Sequence, residues 1–149
     1  MPYEGLLKQG RIRESRFRRS EIEALLRGAV DQASTALLDE VPVEIRHNIA
    51  YDAVRSAAQA VMHAEGYRTV NQAGHHEAVF LFLAQVDGGK WQSEAGYFNS
   101  AREKRNLSEY GSYGRIVASE AVELAEAAQT FLAAVTDWLR ERGFDFREE

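Results

Sequence analysis

Between Tyr97 and Tyr113 the chain reads YFNSAREKRNLSEYGSY, and no other stretch gathers as many side chains able to do chemistry. On a helix turning 100° per residue, Arg102, Arg105, Asn106, Glu109 and Tyr110 share a sector of roughly 140°. One face then presents two guanidiniums, an amide, a carboxylate and a phenol. Forked guanidiniums suit phosphate, and an amide beside them can orient it. A charge-rich helix face is also the ordinary form of a solvated surface, so its meaning depends on what the rest of the chain offers.

Other chemistries fail on inventory or spacing. The chain has no cysteine, which removes disulfides, thiolate metal sites and a cysteine nucleophile. Glu44 and His47 have the spacing of one half of a carboxylate-bridged di-metal site, but that site needs a second such motif and none occurs. Glu44, in the first turn after Pro42, instead complements the helix dipole. His75 and His76 are read as residues of a glycine-containing loop and His63 as a structural imidazole near a helix end. Gly88-Gly89-Lys90 resembles the end of a phosphate loop, yet Ala84 stands at the first required glycine and Trp91 replaces the magnesium-binding Ser/Thr. No nucleophile elbow is present. Neither metal nor cofactor is expected.

Composition narrows the class. With 149 residues, 45% hydrophobic and 28% charged, the chain suits one domain with one core. The longest apolar run, Ala78 to Val86 broken by Gln85, is far short of the roughly 20 residues a spanning helix requires, and no signal-peptide core is visible. A cytoplasmic protein without membrane contact is expected. The net charge of −5 argues against a uniformly basic coat for duplex binding. Residues 1–19 nevertheless hold Lys8, Arg11, Arg13, Arg16, Arg18 and Arg19 against Glu4 and Glu14, and are read as a basic N-terminal segment, an arm for phosphate or an acidic partner or a solvated leader. Residues 20–149 are read as the single domain.

The elements that must position the polar face follow from periodicity. A helical turn is expected near Tyr3–Gln9. Ser20 and Glu23 have capping-box spacing, opening a helix to about Leu38 with Ile22, Leu25, Leu26, Ala29, Val30, Ala33, Leu37 and Leu38 on its apolar stripe. Pro42 breaks the chain. A second helix spans about Val43–Glu65, with Ile45, Ile49, Ala53, Val54, Ala57, Val61 and Ala64 on one stripe and Gly66 as its stop. The apolar segment Glu77–Gln85 resembles a buried helix, with a strand as the alternative. Helices over about Ser93–Tyr110 and Ile116–Arg142 complete an all-α antiparallel bundle of about five helices, without a convincing hairpin.

This arrangement brings a resemblance into view. A bundle whose penultimate helix carries Tyr97, Phe98, Ala101, Arg102, Arg105, Asn106 and Tyr110, followed by a glycine-bearing link and a long Ala/Glu-rich helix, resembles a HEPN domain over about Ser20–Arg142. The resemblance implies a homodimer that pairs two polar motifs at a cleft. Many members of that family are metal-independent endoribonucleases, and some are toxins paired with a minimal nucleotidyltransferase antitoxin. Their signature is an arginine followed four to six residues on by a histidine. Here Arg105 stands at the arginine, Asn106 at the polar residue after it, and Tyr110 at the histidine.

That last substitution bears on activity. A phenol of pKa about 10 is a poor acceptor for a 2′-hydroxyl proton beside an imidazole of about 6.5. The arginine–histidine pair with literal spacing, Arg68 and His75, is what chance supplies in an arginine-rich chain, and it straddles an expected loop. The resemblance therefore implies RNA or nucleotide binding through Arg102, Arg105, Asn106 and Glu109. Arg105 and Tyr110 would be the catalytic pair of an endoribonuclease, an activity Tyr110 disfavours, and a toxin–antitoxin or nucleotidyltransferase partner is expected. The alternative is a non-catalytic interaction module whose polar face is a structural dimer interface.

Overall fold

The computed structural model describes residues 3–71, 73–109 and 116–146, without the side chains of 107–109. It contains α1 (Glu4–Lys8), β1 (Ile12–Glu14), α2 (Arg19–Thr35), α3 (Val43–Ala64), β2 (Tyr67–Thr69), α4 (His75–Leu83), α5 (Gln92–Glu109) and α6 (Ala118–Glu141). The all-α bundle expected from periodicity is what forms, with α2–α6 as its five long or medium helices. Among the described residues no helix is long and apolar enough to cross a membrane.

Helix α3 is the axis of the bundle and touches α2, α4, α5 and α6. Ala50, Ala53, Ala57, Ala58 and Ala60 are buried along it, and these small side chains let neighbouring helices approach on several sides. Phe80 of α4, Phe98 of α5 and Phe131 of α6 form a chain of ring contacts that continues to Trp91 and Trp138. Phe98 and Ala101 are thus core anchors. They fix the rotation of α5 and, with it, the direction in which Arg102 and Arg105 emerge.

Four sequence expectations need correction. The helix cap lies two residues earlier than expected: Arg18 is the N-cap and its N–H donates to the Glu21 carboxylate at 3.3 Å, while Glu23 accepts the Asp145 N–H at 2.8 Å. Because α2 stops at Thr35, Leu37 and Leu38 fall beyond it and are exposed, and Ile45, assigned to the inner stripe of α3, is 50% exposed. A small antiparallel sheet pairs Ile12 with Thr69 and Glu14 with Tyr67; its strands are too short to show alternation and are separated by both long helices. Residues 3–14 are not a free leader, since Tyr3, Leu6 and Ile12 are buried in the common core. Tyr3 stacks on Phe82 at 4.0 Å and its hydroxyl donates to Glu65 at 3.2 Å.

Two devices close the bundle ends. Arg46 is buried and donates from Nε to the Ala36 carbonyl at 2.9 Å, satisfying an acceptor at the end of α2. Asp87 adopts φ 47°, a left-handed conformation that aspartate tolerates. There it accepts the Trp138 indole N–H at 2.7 Å, tying the turn after α4 to α6.

Candidate functional site

The polar face of α5 meets α3 and α4, and it assembles residues from four elements. Helix α4 begins at His75, not Glu77, with Gly74 at its N-cap in the left-handed region (φ 81°). The extra residues place both adjacent histidines and Glu77 on the first turn of a helix that packs against α5. On α3, Tyr51, Asp52 and Arg55 lie within little more than one turn of each other. Arg11 arrives from just before β1.

Each of two carboxylates serves two arginines. Asp52 Oδ1 lies 3.4 Å from Arg105 and 3.6 Å from Arg55. Glu77 contacts Arg11 at 2.8 Å through one oxygen and Arg102 at 3.5 Å through the other. Arg102 also donates from Nε to Asn99 at 2.8 Å, and the Arg105 guanidinium sits over the Tyr51 ring at 5.1 Å. Arg102 also lies 3.8 Å from Glu103, so four guanidiniums gather among Asp52, Glu77 and Glu103. The Arg55 Nε–H is buried with no hydrogen-bond partner among the described residues, a donor left unused.

The arginines mark their neighbours. The Tyr51 hydroxyl lies 3.4 Å from His76 Nδ1, and the two histidine rings meet edge to face at 4.4 Å. Burial, reinforced by Arg55, His75, Arg105 and Arg102, pushes the His76 imidazole down to about 4, so it is neutral at pH 7. Burial pushes the Tyr51 phenol up to about 12 against the pull of the arginines. The hydrogen bond from Arg11 holds the Glu77 carboxyl below its usual range.

The residues expected from sequence divide accordingly. Arg102 and Arg105 do converge, with side chains 17% and 22% exposed, fixed yet reachable from solvent. Asn106 is exposed one step further round the helix. Glu109 ends α5 with its side chain outside the described residues, and Tyr110 lies outside them altogether. The sequence reading missed Tyr51, Asp52, Arg55, His75, His76 and Glu77. The sequence places the histidine pair in a loop, whereas both lie on the first turn of α4, and the Glu44/His47 motif gives no joint site, since Glu44 is exposed and His47 buried. No group of three or more acidic or histidine side chains among the described residues could hold a metal ion.

Chemically, the cluster can take anionic oxygens onto its guanidiniums and can accept a proton at a neutral imidazole. Comparison of the chain with models of protein families, with characterised proteins and with solved structures gave no match. The fold and the cluster therefore define no more than a class, an all-α bundle with an arginine-rich polar face.

Proposed function

We propose that this bundle is a HEPN-like protein that binds RNA or a nucleotide by its phosphates, through Arg55, Arg102 and Arg105. The observation that carries the reading is the convergence of Arg55, Arg102 and Arg105 on one face, with Asp52 shared by Arg55 and Arg105 and Glu77 by Arg11 and Arg102, which gathers forked guanidiniums where a phosphate can meet them. Arg102, Arg105 and Asn106 keep the phosphate-facing roles expected of them. His75 and His76 add imidazoles where the α5 signature lacks one, so that cleavage does not rest on Tyr110 alone. The protein works as a homodimer, as a component of a toxin–antitoxin or nucleotidyltransferase pair.

The test is equilibrium binding of a labelled mixed-sequence RNA in the presence of a chelator, with intact RNA quantified alongside. Arg105→Ala and Arg102→Ala should each weaken binding about tenfold and flatten its salt dependence. Wild-type protein that neither retains nor cleaves RNA refutes the reading. Light scattering across a range of concentrations checks the dimer.

A second reading has its own observation. Asp52–Arg105 joins α3 to α5, and Glu77–Arg102 joins α4 to α5, so the same pairs can serve as structural ties in a non-catalytic interaction module. On that reading Arg105→Ala lowers the melting temperature or the self-association constant and changes no ligand binding.

A further inference from the structure

On the other flank of α5 lies a second polar space, a cavity of about 260 Å³ between α3, α5 and α6, lined by His47, Tyr97, Ser100, Lys104, Glu120 and Glu123. His47 is only 3% exposed, and its Nδ1 is sealed with no hydrogen-bond partner among the described residues. Burial outweighs the opposing pull of Glu120 and, with Lys104 and Arg105 acting alongside it, lowers the pKa of this imidazole, so it is neutral at pH 7. An unpaired buried N–H costs more than an unpaired lone pair, so the proton belongs on Nε2. His47 then offers a donor to whatever occupies the cavity.

The other groups set a pattern. Lys104 Nζ is 3.4 Å from Glu120, and Glu120 also accepts the Val117 N–H at 3.2 Å, so Glu120 is engaged twice. Glu123, one turn along the same face, accepts a hydrogen bond from the Tyr97 phenol, and a carboxylate with some four lone-pair sites keeps an acceptor position on each oxygen. The cavity thus sets a two-oxygen acceptor next to two donors, the Lys104 ammonium and His47 Nε2–H, with the Tyr97 ring and Ala101 as its less polar wall.

We infer that this cavity takes a guanine base, with Glu123 accepting from N1–H and the 2-amino group and with Lys104 and His47 donating to O6. Of the four RNA bases only guanine carries two adjacent donors matching the two oxygens of a carboxylate, with an acceptor beside them. Adenine offers a single donor beside an acceptor, cytosine one donor and two acceptors, and uracil one donor between two acceptors. The position also suits a nucleotide. His47 and Tyr51 are one turn apart on α3, roughly 6 Å, and Lys104 and Arg105 are adjacent on α5, so a base in the cavity places its phosphate toward the arginine cluster. The identity of the base rests on the cavity alone; its linkage to phosphate rests on the function proposed above.

The experiment is calorimetric titration with the four nucleosides and the four nucleoside 5′-monophosphates. Guanosine should bind better than the other nucleosides, and guanosine monophosphate roughly tenfold better than the other monophosphates, the discrimination a bidentate pair provides. Glu123 is exposed on α6, so Glu123→Gln leaves the fold intact, and it should abolish the preference for guanosine. Arg102→Ala should weaken all four monophosphates alike. Equal affinity for the four nucleosides overturns the guanine pocket and leaves the phosphate reading standing. A guanosine preference with no gain from the 5′-phosphate upholds the pocket and overturns the phosphate reading, and no binding of any of the eight overturns both.

Discussion

Neutralising Asp52 should improve ligand binding while weakening the fold. In the unliganded protein its carboxylate occupies Arg105 and Arg55 at 3.4 and 3.6 Å, so a phosphate must compete with it. The gross attraction of one such pair is about 5 kcal/mol at 3.4 Å and an effective dielectric of about 20. Arg105, Arg55 and Asp52 are each about a quarter exposed, and solvent and mobile ions reduce the net term to about 1–2 kcal/mol. Asp52→Asn keeps the size of the side chain and removes that competition, so RNA or nucleotide affinity should rise roughly five- to thirtyfold. The same change removes the carboxylate that two guanidiniums share, so unfolding in urea should become easier by about 1–3 kcal/mol. Fluorescence anisotropy with a labelled RNA at fixed salt, run beside denaturant titration, reads both quantities. If Asp52→Asn loses stability while binding is unchanged or weaker, the arginines serve as structural ties and the phosphate reading is wrong.

Acidification should destabilise the protein through His63 and His76, both pushed down to about 4, first by burial. Between pH 6.5 and about 4 the unfolded chain binds more protons, so stability falls as pH drops, by about 1–2 kcal/mol per histidine after discounting for partial exposure. His63→Gln should flatten a plot of urea midpoint against pH in that window. Phosphate binding at the cluster should relieve the positive field on His76 and raise its pKa, so ligand binding near pH 5.5 takes up protons. Calorimetry in buffers of different ionisation enthalpy will show that uptake, and His76→Asn should remove it. Tyr3→Ala should cost about 3 kcal/mol through lost ring burial against Phe82 and Tyr3→Phe about 1 kcal/mol through the lost bond to Glu65. Equal, negligible losses in urea unfolding would return residues 3–14 to the status of a loose leader.

The parts of the fold legible in the sequence are those governed by local spacing. The 3.6-residue period, Pro42 and the glycines after α3 and α6 mark the long helices because each signal lies within its own helix. The missed features depend on partners distant in sequence. Three-residue strands carry no detectable alternation, and Ile12 and Thr69 meet only because α3 returns the chain to its start. The burial of Tyr3 likewise depends on Phe82 of α4, which no local pattern of the basic first segment reveals.

The site follows the same division. Arg102 and Arg105 were identifiable because helical geometry places them on one face whatever surrounds them. The identity of that surrounding is a tertiary fact: Asp52 and Glu77 become their counter-ions, and His76 their neighbour, only when α3 and α4 pack on α5. An imidazole beside the α5 arginines is thus contributed by α4, where a motif confined to one helix cannot register it. A metal-independent ribonuclease needs the imidazole near the arginines in space and not at a set interval along the chain. On the proposed reading His76 stands at hydrogen-bonding distance from the Tyr51 hydroxyl, yet burial holds it at about 4, a weaker base than a free imidazole, so His76→Ala should lower any RNA cleavage only if ligand binding first raises that pKa.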